Sequence, residues 1–123
     1  LNEMILDIVR QSDRPIRVIE IRSVLEAQGE EITPSLVFRA LGQLSDRGAI
    51  QKVELARGYV AGTGSPRIAL VCEMCGDASL IECDAAFAAL TELAGRHGLA
   101  GRRFVIEVPG RCAACAATAG DRA

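Results

Sequence analysis

Apolar residues recur at helical spacing in three consecutive stretches at the start of the chain. Met4, Ile5, Ile8 and Val9 share one face of residues 2–11. Val18, Ile21, Val24 and Leu25 repeat the pattern in residues 17–28, where Gly29 is a natural C-terminal stop. A third helix is predicted after Thr33-Pro34, a side-chain cap followed by proline at the first helical position. It should run to Arg47, bury a stripe of Leu36, Val37, Ala40, Leu41 and Leu44, and end through a left-handed Gly48. The period then changes. Ile50–Glu54 and Tyr59–Ala61 read as short strands around a turn at Ala56-Arg57-Gly58. Three helices and a hairpin, in this order, predict a winged helix-turn-helix.

Gly62-Thr63-Gly64-Ser65-Pro66 is the strongest candidate linker. Beyond it, Arg67–Val71, Ala78–Cys83 and Phe104–Val108 read as strands. Asp84 is the expected cap of a helix reaching Arg96, with Phe87, Leu90, Leu93 and Ala94 inward. The last eight residues, AATAGDRA, read as poorly tied down. The expected fold is α+β: a winged helix over residues 1–62, a hinge at 63–66, and a small α/β unit over 67–123.

Composition narrows the setting. Half of the 123 residues are hydrophobic, but there are only three Phe, one Tyr and no Trp, so the core must be aliphatic. Net charge is −2, shared about equally by the two halves. Any nucleic-acid surface must therefore be a local basic patch on a nearly neutral module. No run approaches the roughly 18 apolar residues of a membrane span, and no signal-peptide pattern opens the sequence. A cytoplasmic protein away from membranes is the expectation, and in that compartment thiols stay reduced.

Cys-x-x-Cys occurs twice, at Cys72/Cys75 and Cys112/Cys115, with 36 residues between the pairs. Each pair supplies two corners of a tetrahedron on one tight turn. Together they predict a closed structural zinc site, one Zn per chain. An iron–sulfur cluster is also compatible with four cysteines. Two disulfides are disfavoured by compartment. Redox chemistry of the thioredoxin kind needs its first pair at a helix start, whereas Cys75 precedes Gly76 and another strand. Cys83, the fifth cysteine, adjoins Glu82, and His97 is the sole histidine. Glu82, Cys83 and His97 are candidates for a second metal or redox site. Read structurally, Cys83 is a small hydrophobe and His97 a helix C-terminal cap.

On the third helix, the face away from the leucine stripe carries Ser35, Phe38, Arg39, Gly42 and Gln43. An exposed Phe38 would touch thymine methyls while Arg39 and Gln43 reach base edges or phosphates. Ser35, Phe38 and Arg39 occupy the N-terminal part, which reads bases in a recognition helix. The alternatives are a Phe38 at the core edge and a solvated Arg39. Lys52 and Arg57 in the wing could meet phosphates.

With these motifs the chain resembles the ferric uptake regulator (Fur) superfamily and, within it, the zinc uptake regulator (Zur) branch. The resemblance spans nearly the whole sequence. Leu36-Val37-Phe38-Arg39-Ala40-Leu41 is similar to the family's Thr-Val-Tyr-Arg-x-Leu pattern. RALGQLSDRGAIQKVE followed by GYV is similar to the Zur continuation into the wing, and IALVCEMCG and VIEVPGRCAAC to the family's strand-linked cysteine pairs. The resemblance implies a C-terminal dimerisation domain stabilised by zinc on Cys72, Cys75, Cys112 and Cys115. It also implies a homodimer on a near-palindromic double-stranded DNA operator that represses transcription when its metal is bound.

The departures concern a second, metal-sensing site that such proteins build between the domains, largely from histidines. The His-rich stretch is Ser65-Pro66-Arg67-Ile68-Ala69 here. A first-strand His is Gln51, a Cys after the second wing strand is Gly62, and a later His is Phe104. Only Glu82 matches a family ligand. Arg, Ala, Phe and Gly side chains do not coordinate Zn²⁺ or Fe²⁺, so the sensing site reads as degenerate and the linker as leaving the halves freer. Two rival readings remain at the level of sequence. One is a thiol-based redox switch. The other is a zinc-stabilised dimer that acts through protein partners without binding DNA.

Overall fold

The computed structural model of the chain describes residues 1–118. Helices α1 (Asn2–Gln11), α2 (Val18–Ala27) and α3 (Pro34–Asp46) pack around a largely aliphatic centre, with Tyr59 its one aromatic member. Ile5, Val9, Ile21, Leu25, Val37, Leu41 and Leu44 are all but inaccessible there. Burial of such side chains is the main stabilising term, at about 1.5–3 kcal/mol each. Leu36 departs from the expected stripe and is 43% exposed. It lies in the first turn of α3, where side chains lean toward the N-terminus and away from the covered middle of the helix. At the other end Gly48 takes φ 73°, its amide bonds the Ser45 carbonyl at 3.0 Å, and the Ala49 amide bonds Leu44 at 2.9 Å. That left-handed closure satisfies carbonyls the helix leaves open.

Strands β1 (Ile50–Val53) and β2 (Gly58–Ala61) form the antiparallel wing. A 3₁₀ turn at Glu54–Ala56 replaces the end of the expected first strand, and Arg57 follows it in the left-handed region at φ 53°. Tyr59 also exchanges two backbone hydrogen bonds with Ile16 in the α1–α2 loop, which extends the wing by one bridge.

The second half is a three-stranded sheet in the order β4-β3-β5. It comprises β3 (Ile68–Cys72), β4 (Ala78–Ile81) and β5 (Glu107–Gly110), with α4 (Asp84–Arg96) between β4 and β5. β3 pairs antiparallel with β4 and parallel with β5. Three expectations need correction. The final strand begins at Glu107 rather than Phe104, because Phe104 turns out of the ladder to meet Phe87 edge-on, ring centroids 5.8 Å apart. Cys83, not Asp84, is the residue before α4; Asp84 sits in the first turn, where its charge suits the helix dipole. Leu93 is 46% exposed, and only Phe87 of α4 is buried. A short helix α5 (Ala113–Thr118) follows the last strand, so the first part of the tail read as loose is helical. Residues 119–123 lie outside the described ones.

The linker is not the sole tie between the halves. Val53 of the wing is fully buried in one cluster with Ala69 and Val71 of β3. No helix among the described residues is long and apolar enough to cross a membrane.

Candidate metal centre and nucleic-acid interface

Parallel pairing brings the two cysteine pairs together. Cys72 ends β3 opposite Gly110 at the end of β5, and the Glu73 amide donates to the Gly110 carbonyl at 2.8 Å. Cys112 follows two residues later. Each pair sits on a closed turn: the Gly76 amide returns to Cys72 at 3.0 Å, and the Ala116 amide to Cys112 at 2.8 Å. The second pair thus opens α5, which the sequence reading did not assign. All four Sγ atoms lie within 4.8 Å of one another, with Cys75 and Cys112 at 3.9 Å. Thiolates about 2.3 Å from a tetrahedral zinc would be about 3.8 Å apart. Donor type, number and spacing therefore fit such an ion.

The thiols ionise unequally. The Cys112 amide, 3.4 Å from Cys72 Sγ, is the largest influence lowering Cys72 to about 6, and the Cys75 amide adds to it. Cys115 is pushed up to about 12 by its side-chain contacts with Cys112 and then Cys72, and by burial. The Asp77 amide pulls Cys75 down, but the Cys72 sulfur, burial and the Cys112 sulfur outweigh it and leave that thiol raised. Crowded thiols cannot all carry charge unaided; a divalent cation among them removes that conflict. Arg14, from the α1–α2 loop, donates to the Cys75 carbonyl at 2.7 Å and ties the first half to this knuckle.

Glu82, Cys83 and His97 are not brought together. Cys83 and His97 flank opposite ends of α4, a helix of 13 residues and so about 20 Å long. The exposed Glu82 carboxylate accepts from the Thr63 hydroxyl at 3.2 Å. Among the described residues, the four cysteines form the one metal-competent cluster.

α3 is capped as expected, the Thr33 hydroxyl accepting from the Leu36 amide at 3.4 Å with Pro34 at the first position. Ser35, Phe38, Arg39 and Gln43 are all exposed on it. Phe38 is 58% exposed, which disposes of the core-edge alternative. Gln43 Oε1 accepts from Asn2 Nδ2 at 2.9 Å, so it is partly engaged by α1. Among the described residues Arg39 is in no ion pair. In the wing Lys52 pairs with Glu54 at 3.4 Å, and Arg57 is exposed just beyond the 3₁₀ turn. That turn is clamped from the other half: Glu107 accepts the amides of Glu54 at 2.6 Å and Leu55 at 2.8 Å.

The positions where the chain departs from the family's sensing ligands converge. Gln51, Gly62, Ser65, Pro66, Arg67 and Phe104 all line one cleft of about 640 Å³ between α3, the wing and residues 102–107. Gln51 Nε2 donates to the Arg67 carbonyl at 3.1 Å, and the Arg67 guanidinium donates to the Ala61 carbonyl. These bonds tie the wing to the segment that follows it. Nothing in the sequence marks Arg14, Arg102, Arg103 or Glu107 as functional, and Arg67 stands out there only as a non-ligand. Arg102-Arg103 was visible only as a basic pair; nothing local distinguishes Arg14 or Glu107, whose partners are 61 and 52–53 positions away.

Comparison with known proteins identifies the family. The pattern of the ferric uptake regulator family matches residues 2–108. The zinc uptake regulation protein of Escherichia coli (strain K12) is 28% identical over 116 residues, 90% of this chain and 68% of that protein. A zinc uptake regulator complexed with zinc and DNA superposes with TM-score 0.86 at 26% identity, covering 97% of this chain and 83% of the other. Holo XcZur superposes with TM-score 0.79 at 27% identity, covering 94% and 84%.

Proposed function

Because this chain belongs to the ferric uptake regulator family, we propose that it represses transcription as a homodimer on double-stranded operator DNA. Its place in the family makes it a transcription regulator and not an enzyme. The observation that carries the proposal is the free face of α3: Ser35, Phe38 and Arg39 stand in solvent on a helix whose opposite face is fully buried. A similar fold holds zinc and DNA in a solved relative. We assign residues 1–62 to the DNA-binding unit, 63–66 to the hinge and 67–123 to the dimerisation unit. In this scheme Ser35, Phe38, Arg39 and Gln43 address the major groove, and Lys52 and Arg57 the backbone.

One zinc per chain belongs on Cys72, Cys75, Cys112 and Cys115, where it would lock the ends of β3 and β5 together. Four protein thiolates leave no open position, so its role is structural. Dimerisation is supported by the outer face of the sheet. Leu70 and Val108 are register partners there and are 41% and 51% exposed, while Ala69 and Val71 on the other face are buried. An uncovered apolar sheet face of this kind suits a second copy of the chain.

The regulator lacks the second, switching metal. Gln51, Gly62, Arg67 and Phe104 offer no ligand set, and Glu107 and Val53 join wing to sheet without an ion. A metal shifts a conformational equilibrium only by binding its two states differently, and here it has no site at which to do so. Operator sequences selected from random duplex DNA supply the test. Arg39→Ala should weaken binding by about 1–3 kcal/mol with melting unchanged. No salt-sensitive DNA binding by the zinc-loaded dimer would instead favour the partner-protein reading. Metal analysis after excess zinc should find one ion per chain, held through mild oxidant. A second, exchangeable ion would sink the switchless reading.

A further inference from the structure

The cleft between α3, the wing and residues 102–107 has the size of a small-molecule site, about 640 Å³. Its floor is apolar, with Ile50, Tyr59, Phe104 and Ile106 facing it. Its rim carries Lys52, Arg67, Arg102 and Arg103 against Asp46, Glu54 and Glu107. Two of the three carboxylates are engaged: Glu107 holds the Glu54 and Leu55 amides, and Glu54 pairs with Lys52. Among the described residues none of the three arginines is in an ion pair. One Arg67 amino group donates to the Ala61 carbonyl, but its Nε–H is buried with no acceptor. A buried donor left in this state is costly and calls for a partner.

The arginine pair is not on a free loop tip. Phe104, next in sequence, is anchored edge-on by Phe87. Its ring also lies so close to Gly101 that a Cβ there would come within 3.1 Å of it. The loop backbone is thereby held on both sides of Arg102 and Arg103, which fixes where their side chains start from.

Three guanidiniums outside any ion pair, around an apolar floor, match a planar or tetrahedral anion through their forked donors. We propose that this cleft binds a small organic anion, a carboxylate or phosphate on an apolar body, as the effector of the regulator. Phe38 and Gly42 of α3 line the same cleft, so the occupant touches the helix assigned to DNA. The proposal rests on the reading that no second metal occupies the space.

The experiment uses the zinc-loaded full chain with benzoate, phenyl phosphate, inorganic phosphate and neutral benzyl alcohol as probes. Tyr59 is the sole tyrosine, lines the cleft, and has no tryptophan to mask its fluorescence. Calorimetry runs in parallel. Saturable binding of one benzoate or phenyl phosphate per chain is expected, and the preferred probe tells a carboxylate effector from a phosphate one. Affinity should fall at least about tenfold in the Arg102→Gln/Arg103→Gln variant, whose exposed positions leave melting unchanged. The proposal falls if neither anion saturates or if the double variant binds as tightly as wild type. It also falls if benzyl alcohol matches benzoate, or inorganic phosphate matches phenyl phosphate. Metal content of the same samples separates the two levels. One zinc per chain without anion binding overturns this proposal alone, whereas a second zinc in the cleft overturns the reading beneath it.

Discussion

A Cβ built on Gly62 would stand 2.1 Å from the Gly48 carbonyl oxygen and 3.0 Å from the Ala49 carbonyl carbon. Those atoms belong to the turn that closes α3, and the Gly62 amide donates to the Ala49 carbonyl at 2.8 Å. The chain leaves the wing by lying directly on that turn, and no side chain fits between them. Gly62→Ala should therefore lower stability by about 1–3 kcal/mol through backbone displacement, read as an earlier urea midpoint. Gly62→Cys should be destabilised similarly and still hold one zinc per chain, because the new thiol cannot occupy this position unstrained. In the sequence Gly62 had the look of ordinary linker. Its constraint comes from a contact across the fold, and glycine content alone does not distinguish flexibility from close approach.

At the scale of elements, two junctions decide how the parts act together. In the first, the β3–β5 register sets the four thiols. Zinc binding there must displace the protons that Cys75 and Cys115 hold at neutral pH, since both thiols are raised, Cys115 to about 12. At least about two protons should be released per zinc at pH 7, measurable with an indicator dye; release of fewer than one would contradict the four-thiolate assignment. In the second, Glu107 caps the wing turn from the neighbouring sheet. Glu107→Ala should cost about 1 kcal/mol and speed hydrogen exchange at the Glu54 and Leu55 amides. Unchanged exchange at both would show that the clamp does not hold in solution. The helices and the wing are legible in the sequence because period, caps and turn residues are local. The last strand was misplaced by three residues because Phe104 had the right propensity for a strand, yet its ring is claimed by Phe87 on α4. Local propensity yields when an aromatic side chain has a tertiary partner.

At the scale of the whole molecule, seven of the twelve large apolar residues exposed among the described residues lie in the second half. Leu70, Ile81, Leu93, Leu99, Val105 and Val108 are all at least 41% exposed. Leu70 and Val108 share the open face of the sheet, which a dimer would cover. Leu70→Asp should give a folded monomer by sedimentation, with helical content retained and operator binding lost, because two half-sites then go unbridged. A dimer that survives the substitution would move the interface elsewhere. Leu93, expected inward, is exposed because periodicity distinguishes an apolar face from a polar one but does not say what packs against it.

Amphipathic period, capping residues and the two Cys-x-x-Cys pairs carried the winged helix and the four thiols in the sequence itself, because each depends on neighbours within a few positions. Gln51, Gly62 and Phe104 stood out in the sequence only through the family resemblance, as positions without the His or Cys it implies. Only the folded chain decided that these positions share one cleft, that arginines from two segments surround it, and that Glu107 and Val53 hold wing to sheet. Those facts follow from strand register and long-range packing, in which residues dozens of positions apart become neighbours.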